Sequence, residues 1–359
     1  MQKFVPGVEL SRRYWHEVVR PIVDDLLPGV PRAAARIGAG SDVLGFDTER
    51  SADHGWGPRV TVLFDDGFDL SRERRIALLK AIDARIPVAF LGYPTRFAAS
   101  EGGTERHQAM LTTVREWFTL ALGFDPRREI TDDDWLATPA QLLLEATAGA
   151  VFEDPGGGLT SARERLRWYP DDVWLYLMAC QWRRIDQEEP FVGRTGEVGD
   201  DLGSALVTAR LVRDLMRLCF LMERQYAPYI KWLGPAFAHL KCAGELSLLF
   251  ERALRAASWK EREAALVPAV ESVARAFNAL AVAEPQDPKA RYFYNRPFLV
   301  LESSRFVEAC MDRTPLSRLG YVGGIDQFVD STDVLSRPAA AQRIRAFIAG
   351  HPFRRADRT

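Results

Sequence analysis

Between residues 36 and 64 the chain reads RIGAGSDVLGFDTERSADHGWGPRVTVLF, and several residue types able to do chemistry crowd into it. Gly38-Ala39-Gly40-Ser41 is a small-residue turn. Glycines let neighbouring backbone N–H groups converge on an anion, and Ser41 adds a hydroxyl donor suited to a β- or γ-phosphate oxygen. The spacing is not that of a P-loop, because G-x-x-x-x-G-K-[ST] is absent, and no G-x-G-x-x-G leads into a long helix. Asp53 follows at the threshold of an expected strand, where a carboxylate can ligate a metal. His54 beside it would point to the other strand face, and the pair could also do acid–base work without a metal.

A second group of candidates is RQYAPYIKWLG, with Arg224, Tyr226, Tyr229, Lys231 and Trp232 at an expected helix end. Lys231 can hold phosphates or a developing negative charge, and an aromatic ring can stack on a base or another flat substrate. The same residues would equally serve as core packing with Lys231 paired to an acid. Arg210, Arg213, Arg217 and Arg224 share a helical stripe, which reads as an anionic-cleft lining or as a solvated face paired with Asp214 and Glu223. Glu105, His107 and Glu116 could move protons if they lined a pocket. Tyr294, Asn295 and Arg296 suit a cleft or a surface turn.

The elements that must position these groups fall into two textures. VELSRRYWHEVVRPIVDDLLPG places Leu10, Tyr14, Val18, Ile22 and Leu26 four apart, an amphipathic helix bending near Pro21 and ending at Pro28-Gly29. AAARIGAGSDV reads as a strand and turn, and RVTVLF as a β-branched strand. SRERRIALLKAIDARIP is a helix with Ser71 at its N-cap and Pro87 beyond its end. VAFLGYPTRF and RHQAMLTTVREWF supply further strands, the second passing into a helix. Up to about residue 130 this is a small α/β sheet domain, and residues 131–359 read as a helical domain. Within it, FVGRTGEVGDDLGS reads as a cleft loop or helix connection, and the helix through Pro268 as broken there.

At 359 residues the chain accommodates two domains, and 47% hydrophobic with 27% charged residues is the composition of a soluble globular protein. A formal charge of −2 gives no reason to expect nucleic acid as a partner. No run of about 18 apolar residues suggests a membrane span. Cys180, Cys219, Cys242 and Cys310 lack any C-x-x-C pair, which favours reduced thiols in a cytoplasm. Only six lysines stand among 47 basic residues, a bias in favour of Arg.

The Gly-Ser turn followed by Asp53 resembles the nucleotidyltransferase superfamily that includes DNA polymerase beta and the antibiotic nucleotidyltransferases. GSDVLGFDTERSADHGWGPR with RQYAPYIKWLG looks more narrowly like an uncharacterised bacterial family within it. The resemblance implies an α+β chain: a small mixed-sheet nucleotidyltransferase-like domain, then an all-helical domain. It implies transfer of a nucleoside monophosphate from an NTP to a small-molecule acceptor with Mg2+. Gly38, Gly40 and Ser41 would hold phosphate, Asp53 a metal, and Arg224, Tyr229 and Lys231 the nucleotide. The chain departs from the superfamily at Gly55, where the second carboxylate of Asp-x-Asp should stand, and HQAMLTTV carries no third. Glycine cannot ligate Mg2+ through a side chain. Asp42, Asp47, Asp65 and Asp66 are the available substitutes. The departure leaves two other readings open: metal-free acid–base chemistry on a small biosynthetic substrate, or a non-catalytic nucleotide-binding partner protein.

Overall fold

A computed structural model describes residues 4–53, 55–98 and 103–350; the side chains of residues 52, 53 and 345–350 are outside that description, as is His54. The chain divides into two compact units. Residues 1–130 and 142–167 form the first, and residues 131–141 and 168–359 the second.

The first unit begins with α1 (Gly7–Tyr14), a π-helical turn (Trp15–Val19) and α2 (Arg20–Leu26). In place of the bend expected at Pro21, the helix carries a π turn just before it. Proline has no N–H to give to the residue four back, and the wider π turn absorbs the gap. One extra residue rotates the rest of the helix by about 100°. The buried positions are therefore Leu10, Tyr14 and then Val19, Val23 and Leu27, while Val18, Ile22 and Leu26 are only partly covered.

Strands β1 (Arg32–Arg36) and β2 (Val60–Phe64) pair antiparallel, Arg32 opposite Phe64. Helix α3 (Arg72–Asp83) follows, then the two-residue strands β3 (Ala89–Phe90), β4 (Tyr93–Pro94), β5 (Arg96–Phe97) and β6 (Arg106–His107), paired as β3–β4 and β5–β6. Strand β7 (Ala109–Thr113) lies parallel to β2, as a strand–helix–strand crossover through α3 requires, and α4 (Val114–Leu122) leaves its end.

The sheet is completed from beyond residue 130. After α5 (Asp132–Leu136), which belongs to the second unit, α6 (Ala140–Thr147) carries the chain back. Strand β8 (Ala150–Glu153) then pairs antiparallel with β1, giving the order β7-β2-β1-β8. Helix α7 (Gly158–Arg165) closes the unit. A helical domain over the whole of 131–359 thus misplaces 142–167: β8 is half-covered throughout, without the buried alternation that marks a strand in sequence.

The second unit is mostly helical, not all-helical as expected: β9 (Arg291–Tyr292) and β10 (Leu299–Val300) pair in an antiparallel hairpin. Its long helices are α8 (Asp171–Glu188), α10 (Asp201–Met222) and α13 (Trp259–Ala279), with α9 (Phe191–Glu197), α11 (Ile230–Phe237), α12 (Ala243–Arg255) and α14 (Ser304–Met311) packed around them. Trp182 is its pivot, stacked on Phe306 at 4.6 Å and edge-on to Phe277 at 5.9 Å. Helix α13 runs unbroken through Pro268, and the glycine-rich FVGRTGEVGDDLGS is mostly helix, with Asp200 capping α10 through Gly203 N at 2.7 Å. Among the described residues no helix is long and apolar enough to cross a membrane.

Candidate functional site

The turn 37–42 leaves the end of β1 and folds around the side chain of the strand's last residue. Arg36 Nε donates to Asp42 Oδ2 at 2.7 Å and Nη2 to Asp42 Oδ1 at 2.7 Å. Nη1 donates to the Ile37 carbonyl at 3.0 Å and Nη2 also to the Ala39 carbonyl at 2.9 Å. Both side chains are buried, 6% and 5% exposed. Glycine is required at 40, where φ is +149° and a Cβ would run into Arg36 Nη2 and Asp42 Oδ1. The turn thus turns two carbonyls inward on a cation. Gly38 N donates to the Glu145 carbonyl at 2.9 Å, so that amide is spent inside the fold instead of facing a ligand. Ser41 is half-buried, its carbonyl accepts from Phe46 N at 2.8 Å, and its hydroxyl has no partner among the described residues.

The neighbouring carboxylates are mostly committed. Asp47 Oδ2 accepts from Gly7 N, the first residue of α1, at 2.7 Å and from Trp56 Nε1 at 3.2 Å. A negative charge there also meets the positive end of that helix. Asp66 is held by Arg127 at 2.7 Å and Arg115 at 3.1 Å. Asp65 is exposed beyond the end of β2. Asp53 ends a short 3₁₀ turn, Glu49–Asp53, and β2 starts only at Val60, so strand alternation does not set the direction of Asp53 or His54. Their side chains lie outside the described residues. Among the described residues no three His, Cys, Asp or Glu side chains gather as metal ligands. Asp42, Asp47 and Asp66, each matched to a cation or amide, do not fit a dication site; of the carboxylates considered, that leaves Asp53, whose side chain lies outside the description, and the exposed Asp65, uncommitted among the described contacts.

One participant is absent from the sequence reading. Arg59, just before β2, is half-buried; its guanidinium donates to the Gly55 carbonyl and lies 5.1 Å from the Phe97 ring centroid. Burial and the nearby Arg36 charge push its pKa down to about 10, against the pull of Asp42. Two guanidiniums thus share one described carboxylate beside the glycine turn, and Arg59 forms no ion pair among the described residues. Its only signal in the sequence is a single Arg between Gly-Pro and the strand.

Other first-unit candidates have structural roles. His107 is buried, its Nδ1 accepting from Ala109 N at 3.3 Å, which assigns the proton to Nε2, 3.3 Å from the Leu79 carbonyl. Burial lowers its pKa. Glu116 accepts from Arg75 at 2.7 Å and from the Thr112 hydroxyl at 2.8 Å, and Glu105 is exposed.

In the second unit the RQYAPYIKWLG residues disperse. Arg224 sits over the Trp174 ring at 3.9 Å and pairs with Asp171 at 3.0 Å. Tyr229 precedes α11 and its N–H donates to Gln141 Oε1 at 3.1 Å. Lys231 is exposed, 4.8 Å from the Trp232 ring. Of the five, only Tyr226 lines the cavity walled by Trp135, Trp168 and Tyr169. The arginine stripe splits in the same way. Arg210 is exposed and pairs with Glu188, Arg213 is largely covered and pairs with Asp330 and Asp214, and Arg217 turns into that cavity. Tyr294 is exposed at a hairpin turn, and Arg296 pairs with Glu197 at 3.0 Å.

Residues 135–233 match a family model described as a domain of unknown function, DUF4037. No curated protein matches the chain. Among solved structures, a nucleotidyltransferase-like protein from Exiguobacterium sibiricum 255-15 is similar at 13% identity. The match covers 82% of this chain and 87% of that one at a TM-score of 0.31. A likeness that weak leaves the fold to rest on this chain's own mixed sheet and helices.

Proposed function

We propose that the first unit holds the phosphate chain of a nucleoside triphosphate beside the turn 38–41, and that the protein transfers the nucleoside monophosphate to a small-molecule acceptor. The observation that carries the phosphate reading is that, among the described residues, Arg59 lies near the buried Arg36–Asp42 pair with no ion pair of its own. Arg36 is saturated by the turn, so Arg59, with guanidinium donors to spare, is the group that meets phosphate oxygens, and Ser41 adds a hydroxyl. A phosphate suits that group, because it brings negative charge and acceptors to donors that are partly out of water.

The transfer step rests on the family resemblance. It needs a group to stabilise charge on the departing pyrophosphate, and Arg59 is the described group suited to that. Mg2+ would have Asp53 as its protein ligand, and no step is assigned to it.

The committed carboxylates favour a second reading, a nucleotide-binding protein without transfer. Thermal melting of the full chain with each NTP, with and without Mg2+, tests the binding, since a ligand of the folded form raises its melting temperature. Stabilisation lost in Ser41→Ala supports the site. A metal-dependent increment abolished by Asp53→Asn, with pyrophosphate release, supports transfer; nucleotide binding with no turnover selects the second reading. No shift with any nucleotide overturns both and leaves metal-free chemistry on a small substrate.

A further inference from the structure

The cavity that receives Arg217 is lined wholly by residues of the second unit; its water-accessible interior is about 50 Å³, inside a wider recess of about 560 Å³ that includes the open solvent at its mouth. Its wall is aromatic. Trp168 is 5.0 Å from Tyr169 and 4.9 Å from Tyr226, and Tyr169 is 5.1 Å from Tyr226 and 5.6 Å from Trp135, all ring centroid to ring centroid. Trp135, Tyr169 and Tyr226 are buried among one another, and Trp168 is the half-exposed ring of the wall.

The polar groups of the cavity are unevenly satisfied. Gln327 Nε2 donates to the Leu177 carbonyl at 2.8 Å and to Gln181 Oε1 at 3.1 Å, while its Oε1 accepts from Gly324 N at 3.0 Å. Gln181 Nε2 donates to the Asp214 carbonyl at 3.0 Å. Asp326 Oδ2 accepts from Ala140 N at 2.9 Å. Two donors remain. Trp168 Nε1 is shut off from solvent without an acceptor. Arg217 Nη1 meets the Asp326 backbone carbonyl, and no described carboxylate forms an ion pair with its guanidinium. Of the acids near it, Asp214 pairs with Arg184 at 3.0 Å and Asp330 with Arg213 at 2.5 Å, while the buried Asp326 accepts from the Ala140 amide and attracts Arg217 through space without a direct side-chain contact. Arg217 therefore keeps guanidinium donors that no described carboxylate touches, with Asp326 as the nearby opposite charge.

From this wall of rings around a guanidinium with spare donors, we infer that the second unit binds a planar aromatic carboxylate, its rings against Tyr226 and Trp168 and its carboxylate on Arg217. A carboxylate matches the guanidinium fork with two parallel hydrogen bonds, which a neutral amide cannot do. The site stands apart from the phosphate reading: neither Arg36, Ser41 nor Arg59 belongs to it.

The test uses 2-naphthoate as the probe on the full chain, followed by calorimetry and tryptophan fluorescence. The expected result is saturable binding, at least about tenfold weaker for 2-naphthamide, which has the same rings without the charge. Arg217→Gln is expected to weaken naphthoate by a similar factor, Arg217→Lys by less, and Tyr226→Leu to weaken both compounds together. If Arg217→Gln does not fold, as judged by its melting curve, the acid–amide pair on the unaltered chain decides. Equal affinity for acid and amide, unchanged binding in folded Arg217→Gln, or no saturable binding at millimolar naphthoate would each overturn the inference. An NTP titration of the same sample reports separately on the first unit.

Discussion

Arg36 and Asp42 face each other across the glycine turn in a two-pronged pair, both contacts 2.7 Å, with neither side chain more than 6% exposed. Removing one member of such a pair leaves the other charge buried without its partner. Asp42→Asn is therefore expected to lower stability by about 3 kcal/mol. It would also leave Arg36 and Arg59 without their shared carboxylate. Denaturant unfolding of the full chain measures the loss; a change under about 1 kcal/mol would show that the pair is dispensable to the turn.

Arg59→Met should remove the spare donors while keeping a chain able to pack on Phe97. Triphosphate affinity is expected to fall by about tenfold or more with little change in melting temperature. The pH profile carries the same assignment. With a pKa near 10, Arg59 is charged at neutral pH and discharges as pH rises through about 10, so anion affinity should weaken there. Triphosphate is fully ionised well below that point, its last proton leaving near about pH 6–7 by analogy with phosphate esters. Affinity that stays flat up to pH 10.5 would assign the anion to another group.

Two glycines with left-handed backbones predict different costs for the same change. At Gly29, φ is +73° with open space around a Cβ; at Gly149, φ is +70° and a Cβ would strike the Arg36 carbonyl. Gly29→Ala should cost only the backbone strain, about 1–2 kcal/mol. Gly149→Ala adds a clash with the strand end that carries the Arg36 pair and should cost clearly more. Equal costs in a side-by-side unfolding series would show that β1 and the chain before β8 move apart freely.

Glu189 gives the second unit a pH-dependent stability. Its carboxylate accepts from Leu301 N at 2.9 Å and Ser303 N at 2.8 Å, yet burial wins and raises its pKa from 4.5 to about 7. The folded form holds the proton more tightly than the unfolded one. This contribution is thus complete below about pH 4.5 and is lost as pH rises through about 7. Comparing unfolding of the parent chain and Glu189→Gln between pH 5 and 8, the parent should lose on the order of 1–3 kcal/mol more across that interval. Parallel slopes would place the titration elsewhere.

How far the fold could be read from residue types differed element by element. β2, α3 and β7 with α4 follow their patterns closely, since β-branched runs and apolar periodicity are local signals. The face of the first helix shifts by one residue because the π turn is a backbone answer to Pro21, which no count of apolar spacing contains. β8 was missed because its four residues are only half-covered and its partner β1 is remote in sequence. In the site, the glycines and Ser41 pointed to a turn but not to its occupant: Arg36 was read as part of a strand, and the partner that fills the turn is its own side chain. The Arg217 cavity was half visible, as one member of an arginine stripe, but Asp326 and the Trp168–Tyr169 rings come from distant segments.

The late arrival of β8 bears on how the protein is made. On the ribosome β1 emerges well before Ala150–Glu153 are synthesised, and until then one whole side of it offers bare N–H and C=O groups to any neighbouring nascent chain. A fragment ending at residue 130 keeps that edge bare for good and is expected to associate edge to edge. An isolated first unit needs residues 142–167 rejoined to it before it can stay monomeric.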